Sequence, residues 1–234
     1  IDNIVISAGN DTMVCKGNGV TLSATEIVGA TYLWSNAETT RSITVSPITY
    51  TNYTVTVESN GCSATDEVNV QVNEIYANLG SDQTICKGDS VQLYVSGGYD
   101  VLWNTGATGS MYVVNPTFTT TYTATMTNSY GCSGTDDIVV SVRELAVDLG
   151  ADQALCNGGS VSLTAYSIDS ASIMTYAWSN GSNIKTTVVT PVTTTTYFVT
   201  VTDDFGCEAI DNVVITIDNI VISAGNDTMV CKGN

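Results

Sequence analysis

Residues 52–59 read NYTVTVES and residues 66–72 read DEVNVQV, and both segments alternate apolar with polar side chains. Tyr53, Val55 and Val57 fall on one face of the first segment, and threonines fall on the other. An alternation with a period of two is typical of strands that are buried on one face only. We therefore predict half-buried antiparallel strands at both places.

Four shorter strands are predicted upstream of this pair. They are the segments NIVIS, GVTLSA, TYLWS and SITVS, at residues 3–7, 19–24, 31–35 and 42–46. Short alternating runs separated by turn signals indicate an all-β sandwich, and the abundance of Thr and Val agrees with strands. No stretch has a convincing helical period, so we expect no helical domain.

The same order of landmarks occurs three times along the chain. The motif G-x-D-x-x-x-C-x-G contains the first cysteine of each repeat, which we call the anchor cysteine: Cys15, Cys86 and Cys156, with Cys231 beginning a fourth copy. A tryptophan, a proline, a tyrosine and a second cysteine follow in each repeat. The second cysteine, which we call the turn cysteine, is Cys62, Cys132 or Cys207.

This repetition predicts three tandem immunoglobulin-like antiparallel β-sandwiches, each with one disulfide, arranged as an extended rod. We place their boundaries at residues 1–73, 74–143 and 144–217, and we assign residues 218–234 to the first strand of the next repeat. The seams between them contain neither Gly nor Pro at the joint, which favours stiff connections.

A longer repeat is superimposed on the shorter one. Residues 217–234 are identical to residues 1–18, so the block formed by residues 1–216 begins again at Ile217. We expect the chain to be one unit of an array of near-identical blocks whose start lies upstream of Ile1.

The aromatic columns are candidates for the core. The tryptophans should fill the centre of each sandwich, and the tyrosines should lie near the start of the penultimate strand, as in the tyrosine corner of immunoglobulin-like domains. These residues are Trp34, Trp103, Trp178, Tyr53, Tyr122 and Tyr197.

The cysteines are expected to form one disulfide within each repeat, at one end of the sandwich. The predicted pairs are Cys15–Cys62, Cys86–Cys132 and Cys156–Cys207, and Cys231 would pair with a cysteine outside this segment. Metal binding by these cysteines is disfavoured because the chain has no C-x-x-C motif and no histidine. Disulfides persist in oxidising surroundings, so the sequence predicts an extracellular or cell-surface protein.

The chain has 23 acidic and 6 basic residues and a formal net charge of −17. Such a surface repels phosphate backbones, which argues against nucleic-acid binding. The sequence contains no run of 18 apolar residues, so it predicts no transmembrane helix. Acidic residues near the anchor cysteines and the seams are weak candidates for calcium, although aspartates at turns commonly bond backbone amides instead. The calcium candidates are Asp11, Asp82, Asp152, Glu74 and Glu144; no other cofactor is expected.

The motifs G-x-D-x-x-x-C-x-G, L-W-S, S-P-x-T-x-T-x-Y-T-V-T-V and G-C-S-A-T-D together resemble the tandem immunoglobulin-like (PKD-like) domains of large Bacteroidota surface proteins. That group includes the adhesins moved along the cell in gliding motility. The resemblance implies export to the cell surface, often by the type IX route, and supplies no catalytic residues. It also suggests O-glycosylation at Asp-Ser/Thr-apolar motifs, here Thr12, Ser90, Ser170 and Thr228.

We therefore expect a non-catalytic structural repeat of a long extracellular fibre, stalk or adhesin shaft. Its partners would be identical repeats end to end, laterally associated chains, and surface glycans or other cells through a separate tip. The alternative is a carbohydrate- or protein-binding module that uses the longer Cys–Trp loop of the third repeat, YSIDSASIMTY. An enzyme is disfavoured because histidine, the commonest general base, is absent.

Overall fold

The computed structural model describes residues 4–156, 158–167, 174–218 and 225. The secondary structure of these residues consists of strands and turns, and none of their segments is a helix long and apolar enough to cross a membrane. Three positions singled out from the sequence, Cys231, Ser170 and Thr228, lie outside the described residues, as does most of the segment predicted to begin the next repeat.

The first repeat has six strands in two sheets. One sheet has the order β1-β6-β5-β3, and the other pairs β2 with β4. Strands β2 and β4 correspond to strands B and E of immunoglobulin domains, and strands β3, β5 and β6 correspond to strands C, F and G. The strands are β1 Thr12–Cys15, β2 Val20–Ser23, β3 Thr31–Trp34, β4 Ser42–Val45, β5 Thr51–Ser59 and β6 Cys62–Asn73.

The second repeat uses the same topology. One sheet has the order β7-β12-β11-β9, and β10 pairs with β8. Its strands are β7 Gln83–Cys86, β8 Val91–Tyr94, β9 Asp100–Trp103, β10 Met111–Val114, β11 Thr120–Thr127 and β12 Ser133–Arg143.

The third repeat adds one small two-stranded sheet, β13-β16, to the same plan. Its other sheets have the orders β14-β20-β19-β17 and β15-β18. The strands are β13 Val147–Asp148, β14 Gln153–Cys156, β15 Val161–Thr164, β16 Tyr166–Ser167, β17 Thr175–Trp178, β18 Thr186–Val189, β19 Thr195–Thr202 and β20 Glu208–Asp218. The prediction of tandem immunoglobulin-like sandwiches is therefore confirmed.

The chain also divides into two compact units. The first comprises Ile1–Ser81, Gln92–Val114 and Thr121–Val139, and the second comprises Asp82–Val91, Asn115–Thr120 and Val140–Asn234. The domain boundaries inferred from the sequence stay a prediction.

The first strand of the first repeat lies later in the sequence than predicted. Residues 4–7, in the segment NIVIS, are not a strand; β1 begins at Thr12 and runs parallel to the last strand of its own repeat, β6. Upstream of β1, the Ser7 carbonyl accepts a hydrogen bond from the Thr25 amide, and Ile6 packs partly against the core. The parallel pairing brings the C-terminal ends of β1 and β6 to the same end of the sheet.

Alternating residues of the two longest strands form the core, as the opening pattern predicts. Val55, Val57, Val68 and Val70 are at most 1% exposed. In each repeat the tryptophan is also buried, and its indole N–H donates to the carbonyl six residues later, which satisfies the one polar atom of that side chain. The bonds are Trp34 to Thr40 at 2.9 Å, Trp103 to Gly109 at 3.1 Å and Trp178 to Ile184 at 2.8 Å.

The tyrosine column is less uniform than the tryptophan column. Tyr122 is buried and meets the ring of Tyr112 edge-on at 6.1 Å, and its burial raises the pKa of its hydroxyl. Tyr53 and Tyr197 are partly buried against the cores of the first and third repeats.

The turn after each tryptophan contains a position that favours glycine. The φ angle is +86° at Gly106 and +85° at Gly181, but the equivalent residue of the first repeat is Ala37, at +71°. An L-residue with a Cβ is disfavoured in this left-handed region by about 1–2 kcal/mol, and the greater flexibility of unfolded glycine offsets part of that difference.

We expect Ala37→Gly to stabilise the first repeat by about 0.5–1 kcal/mol, measured by thermal or urea unfolding. Gly106→Ala is the matched control, because an added Cβ there meets no atom within 4 Å and the cost is purely conformational. The control should lose a similar amount. A neutral or destabilising effect of Ala37→Gly would contradict the prediction.

Candidate functional site: the cysteine joints between repeats

The disulfides connect successive repeats, and the predicted pairing within each repeat is wrong. Cys15 bonds Cys132, and Cys86 bonds Cys207, with Cα atoms 5.4 Å apart in both cases. The predicted pairs Cys15–Cys62, Cys86–Cys132 and Cys156–Cys207 do not occur, and Cys62 and Cys156 are free thiols. The anchor cysteine of one repeat is therefore linked to the turn cysteine of the next.

The parallel pairing of the first and last strands explains this correction. Cys15 lies beside Asn73, the last residue of β6, whereas Cys62 is the first residue of β6. Eleven residues of extended strand separate the two ends by about 35 Å, and a disulfide requires Cα atoms within about 7 Å. An anchor cysteine therefore cannot reach the turn cysteine of its own sandwich. It lies instead beside the end of the last strand, where the chain continues into the next repeat.

The first joint, which lies within the first unit, contains Cys15–Cys132 and two asparagines. The side-chain carbonyl of Asn128 accepts hydrogen bonds from the amides of Tyr130 and Cys132, both at 3.0 Å. Its amide group donates to the side chain of Asn73, at the end of β6, at 2.9 Å. Asn128 thus shapes the turn that carries Cys132 and also contacts the preceding repeat.

The second joint, within the second unit, replaces the asparagines with an ion pair. Asp203 accepts the amides of Phe205 at 2.9 Å and Cys207 at 2.8 Å, and its other oxygen accepts the Arg143 Nε at 3.1 Å. The guanidinium also stacks 4.3 Å above the ring of Phe205. Arg143 ends β12, as Asn73 ends β6, so the two joints use equivalent positions.

The carboxylate of Asp203 is almost completely buried, with 1% of its side chain exposed. Burial alone would raise its pKa. The amides of Cys207 and Phe205 and the guanidinium of Arg143 outweigh that effect and hold the pKa of Asp203 below its usual value of 3.8. The second joint therefore keeps a negative charge at neutral pH, and the charge is matched by Arg143.

A surface ion pair flanks each disulfide. The lysine that follows the anchor cysteine bonds the glutamate that follows the last strand: Lys16 with Glu74 at 2.5 Å, and Lys87 with Glu144 at 2.6 Å. The hydrogen bond from Lys16 lowers the pKa of Glu74, and the same bond raises the pKa of Lys16. Two of the calcium candidates, Glu74 and Glu144, thus have lysine partners.

Two of the three aspartate candidates for calcium accept hydrogen bonds from backbone amides. Asp11 accepts the Asn69 amide and Asp152 accepts the Val214 amide, both at 2.9 Å, and Asp82 is not free either. Among the described residues, no group of three or more His, Cys, Asp or Glu side chains could hold a metal ion. Calcium binding stays a prediction without a site in this part of the chain.

A second aspartate column, in the last strands, ties the segment before β1 and its equivalents to the sheet. Asp66 accepts the Ala8 amide at 2.8 Å, Asp136 accepts the Leu79 amide at 2.7 Å, and Asp211 accepts the Leu149 amide at 2.8 Å. These bonds hold the entry of each repeat beside its last strand.

The remaining sequence-predicted sites lie away from the joints. Thr12 begins β1 and is partly buried, whereas Ser90 is exposed and its hydroxyl accepts a hydrogen bond from Asn115 at 3.2 Å. Glycosylation of either residue stays a prediction. Most of the longer loop of the third repeat, residues 168–173, lies outside the described residues.

Sequence reasoning missed Asn128, Arg143, Asp203 and Phe205, although one signal pointed to the joints. The spacing from each turn cysteine to the next anchor cysteine is the same at all three places, whereas the spacing from anchor to turn cysteine within a repeat differs. A constant length between repeats, beside a variable length within them, indicates that the connection is the constrained element.

The two disulfides found among the described residues indicate an oxidising, extracellular environment.

No protein-family model matches the chain, and no curated protein sequence matches it. Solved structures of tandem immunoglobulin domains are similar to it at low identity. The I-band fragment I67–I69 from titin has 13% identity and a TM-score of 0.41, covering 89% of this chain and 96% of that chain. Drosophila OTK extracellular domains 3–5 have 10% identity and a TM-score of 0.36, covering 90% and 94%. The chain is thus similar to tandem immunoglobulin-like domains.

Proposed function

We propose that this chain is a non-catalytic structural segment of a long fibre, stalk or adhesin shaft on the outside of a bacterial cell. The observation that carries the proposal is the pairing of cysteines, since both disulfides connect one repeat to the next. A binding module or an enzyme needs no covalent bond in addition to the peptide link between successive domains. In a chain under tension such a bond is useful, because it carries force past the segment that it bridges.

The seam contacts support the same function. At the first joint Asn73 bonds Asn128, and at the second Arg143 bonds Asp203 and stacks on Phe205. Each contact joins the end of one repeat to the cysteine turn of the following repeat. These contacts would hold successive repeats at a defined angle, which is what a shaft requires.

The partners in this proposal are identical blocks joined end to end, with lateral association of chains and a separate tip that contacts glycans or other cells. The net charge of −17 opposes lateral association, so we expect this association to strengthen as salt screens the charge. The bacterial surface setting is part of the proposal and comes from the motif resemblance described above.

The test is to label intact, unpermeabilised cells with a gold-conjugated Fab raised against this chain. We expect thin surface filaments with gold at a constant axial interval, because each block presents one copy of the epitope. Permeabilised cells treated with the same Fab serve as the control for intracellular protein. Label confined to the cell interior, or a single gold particle per molecule, would overturn the proposal. Saturable binding of the purified chain to a glycan array, without filaments, would favour a binding module.

A further inference from the structure

We propose that Cys156 and Cys62 are the two halves of a third joint, in which Cys156 of one block bonds Cys62 of a second copy of this block. The proposal rests on the proposed function in one respect, that blocks follow one another in the same chain. It would make the disulfide connection continuous along the array.

Cys156 occupies the same place in its repeat as the two bonded anchor cysteines. It ends β14, which runs parallel to β20, and it lies beside Asp218, the last residue of β20. Cys15 lies beside Asn73 in this way, and Cys86 beside Arg143. The thiol of Cys156 is exposed. The strand geometry that presents Cys15 and Cys86 to a following repeat is therefore complete at Cys156.

Cys62 occupies the place of the two bonded turn cysteines, but it has no disulfide partner in the described structure. Cys132 and Cys207 are each 3% exposed, whereas Cys62 is only partly buried. An open groove lies beside it, lined by Gly29, Thr31 and residues 58–63. In the second repeat, Met13, Val14 and Cys15 of the preceding repeat lie beside the corresponding turn and line a cavity together with Tyr130 and Cys132. The groove is thus the position at which the preceding block would lie.

The polar residues of the third joint are also complementary. Ser59 pairs with Cys62 in the hairpin of the first repeat. In the same way, the backbone amides of Asn128 and Asp203 donate to the carbonyls of Cys132 and Cys207, so Ser59 is the equivalent of Asn128 and Asp203. The residues that bond across the joints are Asn73 with Asn128 and Arg143 with Asp203. The equivalent pair is Asp218 with Ser59 of the second copy, an acceptor carboxylate facing a donor hydroxyl.

The spacing along the chain agrees with the two observed joints. The cysteines of the two observed disulfides are 117 and 121 residues apart in the sequence. A second block that begins at Ile217 would place its own Cys62 at nearly the same separation from Cys156. The third joint would therefore close a loop of the same size as the two existing joints.

Bond formation requires a disulfide donor as the oxidant, which oxidised glutathione or a protein disulfide supplies. The thiolate of Cys156 attacks the donor disulfide, breaks its S–S bond and forms a mixed disulfide. The thiolate of Cys62 of the second copy then displaces the donor thiolate. Two protons and two electrons leave the cysteines, and the donor ends as two thiols.

The covalent consequence is an array with two covalent paths side by side. Each path alternates a segment from turn to anchor cysteine with a disulfide: the segment from Cys62 to Cys86 continues at Cys207 in one path, and the segment from Cys132 to Cys156 belongs to the other. The segments from anchor to turn cysteine, which contain the second to fifth β-strands of each sandwich, would cross-link the two paths.

The experiment uses a protein of two consecutive blocks, residues 1–216 followed by the full chain, oxidised with glutathione. Free thiols are alkylated without reduction, and disulfide-linked peptides are identified by mass spectrometry. We expect one peptide pair joining Cys156 of the first copy to Cys62 of the second. Because the two copies yield identical peptides, Cys62→Ser is placed in the first copy, and Cys156→Ser with Cys231→Ser in the second, which removes the thiols that have no partner in this protein.

The single-block chain with Cys231→Ser is the control, and both Cys62 and Cys156 should be alkylated there. Complete alkylation of Cys156 and Cys62 in the two-block protein would overturn the third joint, and so would a bond from Cys156 to any other cysteine. Adding Cys156→Ser to the first copy should leave Cys62 of the second copy alkylated and the other joints intact. This result is independent of the gold-labelling experiment, because the bond is tested in purified protein and the surface fibre in cells.

Discussion

Stretching this chain from its two ends is expected to release about 500 Å less contour length with both disulfides intact than with both removed. Without disulfides, the covalent path from Cys15 to Cys207 follows the whole backbone between them. Through the disulfides, the shortest covalent path passes from Cys15 to Cys132, back along the backbone to Cys86, and on to Cys207. Force therefore cannot extend the chain beyond that path until a bond is reduced.

Single-molecule force spectroscopy with handles at the two termini measures this difference. The variant lacking all four bonded cysteines should extend fully. In the variant lacking only Cys15 and Cys132, the path should follow the backbone from position 15 to Cys86 and then cross to Cys207. In the variant lacking only Cys86 and Cys207, it should cross from Cys15 to Cys132 and then follow the backbone to position 207. Cys62→Ser with Cys156→Ser is the matched control and should not change the extension of the oxidised chain.

These variants also discriminate between the two ways of pairing the cysteines. If the cysteines paired within repeats, removing Cys15 and Cys132 would break two bonds, and the path would follow the backbone from position 15 as far as Cys156 instead of Cys86. The backbone from position 15 to Cys156 is about twice as long as the backbone from position 15 to Cys86. An extension corresponding to the longer path would contradict the connections between repeats.

The second large effect is expected at Asp203. Asp203→Ala removes two hydrogen bonds to buried amides and leaves Arg143 without its carboxylate, which should destabilise the second joint by about 3 kcal/mol. Asp203→Asn should cost less, because Asn128 shows that an asparagine at this position can still accept both amides. Adding Arg143→Asn to Asp203→Asn reproduces the residue pair of the first joint and should recover part of the loss.

The effect has a defined pH dependence. Because the folded protein lowers the pKa of Asp203, the stabilisation by its carboxylate is present above the usual value of 3.8 and is lost as the pH falls through the lower, folded pKa. Native protein and Asp203→Asn should therefore differ in stability at pH 7 and converge below about pH 3.8. Urea unfolding and hydrogen exchange at the Phe205 and Cys207 amides measure this difference.

Asn128→Ala is the control for the charge at this position. It removes the same two amide hydrogen bonds from the first joint without removing a charge, so we expect a loss of about 1–2 kcal/mol that is independent of pH in this range. Equal losses and equal pH profiles for Asp203→Ala and Asn128→Ala would show that the ion pair with Arg143 adds nothing.

The sequence was sufficient to predict most of the fold. The alternation in residues 52–59 and 66–72 predicted β5 and β6, and the tryptophan column predicted buried residues that the structure places in each core. These features depend on local periodicity and on side-chain size, and both can be read directly from residue types. The repeated motifs then placed the same fold three times along the chain.

The joints could not be predicted in the same way, because they depend on which strands lie side by side. Once β1 is known to run parallel to β6, Cys15 must lie far from Cys62, but residue types alone do not reveal that pairing. Asn128 and Asp203 were missed for a related reason. Polar residues at turns are common, and only the neighbouring repeat shows that these two contact Asn73 and Arg143.

The overlap of the two disulfide-closed loops has a consequence for damage by proteases. Any single peptide-bond cleavage between Cys15 and Cys207 falls inside at least one loop, since the loops share residues 86–132. Exposed turn tips are the usual places for such cuts. A molecule with one such cut would keep both fragments attached, so an extracellular protease that cleaves one turn would not separate the two ends of the chain.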